Sequence, residues 1–454
     1  MSGIAAALER HASACPAALA AVDASGSWTW RDLAERVRAV AADHAGAGVR
    51  PGHRVALRLP DGVEALVQLL AVLRLEAVHA PLDVALAPAE VEAGVRQLGA
   101  SWRIEAGTDG RAELRSTGIA ALPEPLGGER SAFLRLTSGT TGAAKGVLIS
   151  QRSLAERIAA ANRALGLTGE DRVLWMLPMA YHVAVSVLLY VEVGAAIVFG
   201  NRLRAADTAR CANDHACTFA YAAPWHIRRL ADLPAGSLPS SLRRVVSTTT
   251  ALDAEVAARF RDRHGIPVYQ ALGIIECGLP LLSAGDPGEP VGRFGLNADY
   301  RARLRGVDDQ GVGELCLAGP GFLDAYLDPW RTQSEVLDAD GFFATGDLAR
   351  IGDDGAIQVL GRCKDVINVG GIKVFPQEVE SVLEAHPAVV RARVFAGPDP
   401  RTGEQVLAEV EAGGEVPTDQ LMEWCRSRLA ALKCPARIDR VEALALTPSG
   451  KVRR

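Results

Sequence analysis

Leu136-Thr-Ser-Gly-Thr-Thr-Gly-Ala-Ala-Lys-Gly146 is the stretch on which the reading of this chain turns. It joins two apolar runs of strand length, AFLRL (132–136) and GVLIS (146–150). Glycines at 139, 142 and 146 let backbone amides approach an anion closely. Thr137, Ser138, Thr140 and Thr141 add hydroxyl donors, and Lys145 adds a cation. Most Gly/Ser/Thr loops between strands are plain hairpin turns. The density of hydroxyls around an embedded lysine makes this one a candidate cradle for the β- and γ-phosphates of a nucleotide. It is not a P-loop, because Gly146, not a hydroxyl residue, follows Lys145.

Outward from the loop, strand-length apolar runs alternate with helix-period segments. VALRLP (55–60) reads as a buried strand and DGVEALVQLLAVLRL (61–75) as the helix after it. GVLIS is followed by QRSLAERIAAANRAL (151–165), and RRVVSTTT (243–250) by LDAEVAARFRDRHG (252–265). Continuous apolar strands separated by helices predict an α/β fold with parallel-type sheets flanked by helices. After about residue 285 the texture changes: GDPGEPVGRFG (285–295) is turn-rich, and GELCLAG (313–319) and AIQVLG (356–361) are short strand candidates, which predicts a β-rich subdomain. From GRCKD (361–365) onward come helix PQEVESVLEAH (376–386), strands VVRARVF (389–395) and QVLAEVEA (405–412), and helix TDQLMEWCRSRLAALK (418–433). Pro376 suits a first helical turn. These elements predict a small α+β domain. At 454 residues the chain exceeds what one core usually supports, and the expected division is a large domain 1–360 and a small C-terminal domain 361–454.

Composition narrows the classes. Hydrophobic residues at 49% and charged residues at 23% are ordinary for a packed globular chain and exclude a disordered one. A net charge of −5 leaves no basic footprint for nucleic acid. A polyanion would have to be held by local amides, one or two cations and a metal. The eight cysteines show no C-x-x-C spacing, which speaks against a zinc site or redox dithiol and for reduced, cytoplasmic thiols. The N-terminal MSGIAAALERHASACP lacks the pattern of a secretory signal. The most apolar stretch, Val183 to Gly200, has the length of a membrane span, but Glu192 and Gly194 interrupt it. A short helix followed by a buried strand is expected there, and no membrane span.

TSGTTGAAKG (137–146) resembles the signature loop of the adenylate-forming superfamily of acyl-CoA synthetases, luciferases and peptide-synthetase adenylation domains. Three further segments agree with that family in order: Thr345-Gly346-Asp347, GRCKDVINVGGIKVFPQEVE (361–380), and TPSGKVRR (447–454) with Lys451. The resemblance runs from about residue 20 to the end. It implies an enzyme that activates a carboxylic acid with ATP and Mg²⁺, forms an acyl-AMP with release of pyrophosphate, and passes the acyl group to a thiol. The thiol would be that of CoA, or the phosphopantetheine of an acyl carrier protein.

Residue by residue, the resemblance implies that Thr137, Ser138, Gly139, Thr140, Thr141, Gly142 and Lys145 hold the phosphates. Asp347 and Arg362 would reach the ribose, Glu276 would hold Mg²⁺, and Lys451 would lie against the carboxylate and α-phosphate. Thr249, Leu272 and Gly273 would flank the nucleotide. The small domain would be mobile, pivoting near Lys364. His182 stands where amino-acid-activating relatives carry an aspartate for the substrate ammonium, so an α-amino acid is not expected. Tyr181, His182, Ala222, Ala223, Trp225, Gly273 and Ile274 would line a pocket for an aryl or aliphatic acid.

Three positions depart from the family pattern. Leu272 replaces an adenine-stacking tyrosine, Ile275 replaces a phosphate-binding threonine, and Ser247-Thr-Thr-Thr-Ala251 replaces a glycine-rich run. Each is expected to weaken nucleotide binding by about 1 kcal/mol. They are also what a non-catalytic binding homologue would show, against which Glu276 and Lys451 stand intact.

Overall fold

The computed structural model describes residues 3–122, 126, 129–137, 145–200, 204–285, 292–446 and 452–453. Ser138, Gly139, Thr140, Thr141, Gly142 and Lys451, all expected to contact the nucleotide, lie outside them. Among the described residues the strands form three sheets.

The first sheet has eight strands, in the order Arg331–Thr332, Ala325–Leu327, Lys145–Ser150, Ser131–Thr137, Val78–Pro81, Arg54–Arg58, Trp102–Ala106 and Ala112–Ser116. Its middle is parallel, as the continuous apolar runs imply. GVLIS departs from that reading. Lys145–Ser150 runs antiparallel to Ser131–Thr137, with Thr137 opposite Lys145. Parallel partners need a crossover of roughly a dozen residues or more, and only residues 138–144 connect these two strands. The expected phosphate loop therefore caps a hairpin.

The second sheet joins thirteen strands. Its parallel half is Leu19–Asp23, Ala196–Phe199, Arg172–Trp175, Phe219–Ala222, Arg244–Ser247 and Val268–Ile274. The strands of the expected β-rich subdomain continue this sheet through antiparallel pairs, from Gly278–Leu282 through Arg293–Leu296, Ile357–Arg362, Phe343–Ile351 and Gly313–Ala318 to Arg301–Arg305. Tight turns in the antiparallel stretch replace the helical crossovers of the parallel one.

Two helices lie between these sheets. Val63–Arg74 buries ten of its residues and touches strands of both sheets, which is why its sequence is apolar almost all round. Gln151–Leu165 starts at Ser150, whose side chain accepts the Ser153 amide at 3.1 Å. Its Arg157 is fully buried and donates to the carbonyls of Gly321 and Ile275, which satisfies a charge that burial alone would exclude. Val183–Gly200 resolves as expected into a helix, Val187–Val193, followed by the buried strand Ala196–Phe199, and a short 3-10 turn, Val183–Val185, precedes them. Among the described residues no helix is long and apolar enough to cross a membrane.

The third sheet, of five strands, spans Ile367 to Val441 and carries helices Pro376–Glu384 and Thr418–Arg426. Ile367, Val374, Leu383, Val394, Val410 and Leu421 form a core of its own. This is the small C-terminal domain beside the large N-terminal one.

Candidate active site

The carboxyl ends of parallel strands Val78–Pro81, Phe219–Ala222, Arg244–Ser247 and Val268–Ile274, or the residues just after them, open onto a cavity of about 2200 Å³. Ligand sites at the carboxyl ends of such strands follow from the topology. The cavity runs between the large domain and helix Pro376–Glu384, and it is larger than a site for one small molecule needs.

The hairpin of Ser131–Thr137 and Lys145–Ser150 lines the cavity with Arg135, Leu136, Thr137 and Lys145. Thr137 hydrogen-bonds the Lys145 carbonyl at 3.3 Å, and Lys145 Nζ lies 5.3 Å from the ring centre of Tyr326. The Tyr326 hydroxyl donates to Glu276 Oε1 at 2.8 Å. Burial and the neighbouring Glu276 both raise the Tyr326 hydroxyl above its ordinary range, so it stays a donor. Strand pairing sets this cluster: Tyr326 lies opposite Val147, two residues beyond Lys145, and the Glu276 carbonyl receives the Leu323 amide at 2.8 Å. Among the described residues no group of three or more His, Cys, Asp or Glu gathers as a metal cage. One carboxylate, oriented by Tyr326 near Lys145, fits a Mg²⁺ ion whose other ligands are phosphate oxygens and water.

Asp347, which also lines the cavity, pairs with Arg362. Their strand positions face each other, Arg362 Nε lies 2.9 Å from Asp347 Oδ1, and Arg362 Nη1 donates to the Thr345 carbonyl at 2.9 Å. Gly346, between Thr345 and Asp347, holds φ +74°, a conformation L side chains avoid. Leu272, Gly273, Ile274 and Ile275 line the cavity, and the Ile275 carbonyl is held by Arg157. Thr249 lines it with φ +83°, rare for a β-branched residue. The chain thus keeps a glycine-like backbone where the family's glycine-rich run would lie.

The residues expected around the acyl group come from helices Met179–His182 and Pro224–Ala231, from Ala223 just before the latter, and from the end of strand Val268–Ile274. His182 closes the short helix Met179–His182 and meets the Trp175 ring edge-on at 6.3 Å. Tyr181, Ala223 and Trp225 line the cavity, whereas Ala222 is fully buried behind the wall. Lys364 lines it from the turn Cys363–Asp365, and Val452 and Arg453, on either side of which Lys451 and the C-terminus lie, line it as well. Every expected site residue among the described ones reaches this cavity except Ala222. Tyr326 and Arg135 also line it and were not singled out from sequence. No motif marks Tyr326, but an arginine inside the apolar run AFLRL was a visible signal.

Helix Pro376–Glu384 turns Glu384 towards the large domain. Burial pushes its carboxyl up to about 7; the Ala392 amide, bonded at 3.0 Å, opposes this, Glu380 adds to it, Arg228 opposes it and Asp253 adds to it. An acid whose folded value lies above its ordinary 4.5 favours the fold at low pH and loses that contribution as pH rises through about 7. Glu384→Gln keeps an acceptor for the Ala392 amide and removes the charge. Thermal melts are expected to show it a few degrees more stable than the wild type near pH 8, and equal to it near pH 4.5.

The profile of the AMP-binding enzyme family matches residues 8–327, and that of the AMP-binding enzyme C-terminal domain matches residues 378–451. The chain is 30% identical to a sulfoacetate–CoA ligase of Cupriavidus necator, over 95% of this chain and 92% of that one. It is 28% identical to a feruloyl-CoA synthase of an Amycolatopsis species, over 98% and 96%. In structure it is similar to ATP-bound MatB from Rhodopseudomonas palustris, with a TM-score of 0.84 and 25% identity, covering 100% of this chain and 97% of that one. With the site built on both of its domains, the chain belongs to the AMP-binding enzymes, the adenylate-forming superfamily, as an acid–thiol ligase.

Proposed function

We propose that this enzyme uses ATP to activate a carboxylic acid without an α-amino group, and then transfers the acyl group to CoA. The observation that supports this most is the convergence on one cavity of Lys145, Glu276 with Tyr326, Asp347 with Arg362, and the tail residue Val452. In the first step a carboxylate oxygen attacks the α-phosphorus, the bond to the bridging oxygen of the β-phosphate breaks, and pyrophosphate leaves. The carboxylate is already ionised at neutral pH, so no base is needed. The obstacle is repulsion between two anions. In this reading Lys145, Lys451 and the loop amides supply positive field around the α-phosphate, and Asp347 fixes the ribose so the attack is in line. Mg²⁺ on Glu276 would neutralise phosphate charge.

In the second step the CoA thiol gives up its proton to solvent, its sulfur bonds to the acyl carbon, and the bond from that carbon to the phosphate oxygen breaks, so that AMP leaves. Lys451 would have to withdraw and open a path for the thiol, by rotation of residues 361–454 about Lys364. The acid named for one relative carries a sulfonate and that of the other an aromatic ring, so both aliphatic and aryl acids enter the test. The eight unpaired thiols support a reducing, cytoplasmic setting. ATP–pyrophosphate exchange across a panel of aliphatic and aryl acids is expected to respond to at least one. Thioester should then form with CoA; formation only with a phosphopantetheinylated carrier protein would move the acceptor to that class. Silence across the panel would favour a non-catalytic homologue.

A further inference from the structure

Arg135 is the one charged residue of strand Ser131–Thr137. Two residues before Thr137, it shares that residue's face of the strand, and it lines the cavity. A guanidinium offers five N–H donors and stays charged at any pH the protein meets. Little of that capacity is used. Nη1 donates to the Tyr181 carbonyl at 2.5 Å, and the group lies 5.7 Å from the Tyr181 ring centre. Nε is closed off from water and has no hydrogen-bond partner among the described residues.

Nor do the described residues provide Arg135 with an ion pair. Residues 138–144, next along the chain, include no acid. Asp83, also at the cavity, is occupied by the Tyr181 hydroxyl and by the Ala85 amide at 2.7 Å. Glu276 is the carboxylate whose field Arg135 feels most, but it is bound by Tyr326. A cation placed on Glu276 would cancel even that field. Desolvating a charge without a counter-ion is unfavourable, and such groups persist where a ligand supplies the opposite charge.

We propose that Arg135 receives a second anionic group, a carboxylate or sulfonate, on the acid being activated, so that the substrate is a dianionic acid. This rests on the ligase reading and names its substrate class. Arg135 touches Tyr181, neighbour of His182 on the acyl side, while Lys145 already serves the phosphate side. An ATP phosphate would offer Arg135 the same oxyanion chemistry, so the test separates the two sources.

The test is ATP–pyrophosphate exchange with acids paired by skeleton: malonate with propionate, succinate with butyrate, glutarate with valerate, phthalate with benzoate. In the wild type at least one dianion is expected to exceed its partner in kcat/KM by about tenfold or more, and Arg135→Met should cut that dianion by about 100-fold while the monoanion and the KM for ATP move less than about threefold. Arg135→Lys should retain part of the preference. Without ligand, Arg135→Met should melt no lower than the wild type, since an uncompensated charge is gone; a merely structural role in holding the Tyr181 backbone predicts a lower midpoint. Monoanions outrunning every dianion in the wild type would overturn the proposal and leave the ligase reading standing. A raised KM for ATP with an unchanged dianion preference would assign Arg135 to the nucleotide instead. Silence of the wild type with every acid would remove the ligase reading and this inference together.

Discussion

Lys451→Ala is expected to slow acyl-AMP formation by about 10³-fold while slowing thioester formation from supplied acyl-AMP by less than about fivefold. The asymmetry follows from charge. In the adenylation step two anions must meet, and a cation at the α-phosphate acts as negative charge gathers on the equatorial oxygens. In the thioester step the electrophile is already a mixed anhydride, and a lysine over it would block the thiol. The residues next to Lys451 reach the cavity. Val452 and Arg453 line the cavity, Val452 bridges to Leu446, and the Arg453 amide bonds the Ala445 carbonyl at 2.8 Å. Pyrophosphate exchange measures the first half-reaction, and thioester release from synthetic acyl-AMP measures the second. Equal loss in both would refute the division of labour and point to a structural role for the tail.

Glu276→Gln should come next in size, with kcat/KM in exchange falling about 10²–10³-fold and the Mg²⁺ needed for half-maximal rate rising about tenfold or more. Glutamine keeps an oxygen for the Tyr326 hydroxyl, bonded at 2.8 Å in the parent, so the substitution isolates the charge. Tyr326→Phe makes the complementary change: Glu276 keeps its charge and loses its anchor, for which a milder loss of roughly tenfold in Mg²⁺ affinity is expected. A Mg²⁺ titration at saturating ATP distinguishes the two variants. If Glu276→Gln left the Mg²⁺ dependence untouched, the metal would have to be held elsewhere.

These residues also show how far the sequence could be read. The parallel strands were legible because burial on both faces makes a strand continuously apolar, as in VALRLP and RRVVS. The hairpin at Lys145 was not, because an apolar run looks the same whichever way its neighbour runs. The strands after residue 285 read as β-rich, but their membership of the large sheet was not legible, for a related reason. Texture reports turn density, whereas membership of a sheet depends on backbone hydrogen bonds between segments far apart in the chain. Glu276, Asp347 and Lys145 could be named because motifs keep fixed local spacing around them. Tyr326 carries no such local mark; its role comes from lying opposite Val147 in another strand.

What the sequence determined alone was local and chemical: a hydroxyl-and-glycine loop with one lysine, a Thr-Gly-Asp turn, a lysine near the tail, apolar strands alternating with helices, and through these the family. What only the tertiary structure decided was which charges meet and which go without a partner. Asp347 finds Arg362 across a strand pair, Glu276 finds Tyr326, and Arg135 finds a carbonyl and an aromatic ring but no carboxylate among the described residues. The physical reason is range. Backbone preference and hydrophobic period act over a few residues of chain, while electrostatic pairing acts through space and exists only once distant segments have packed.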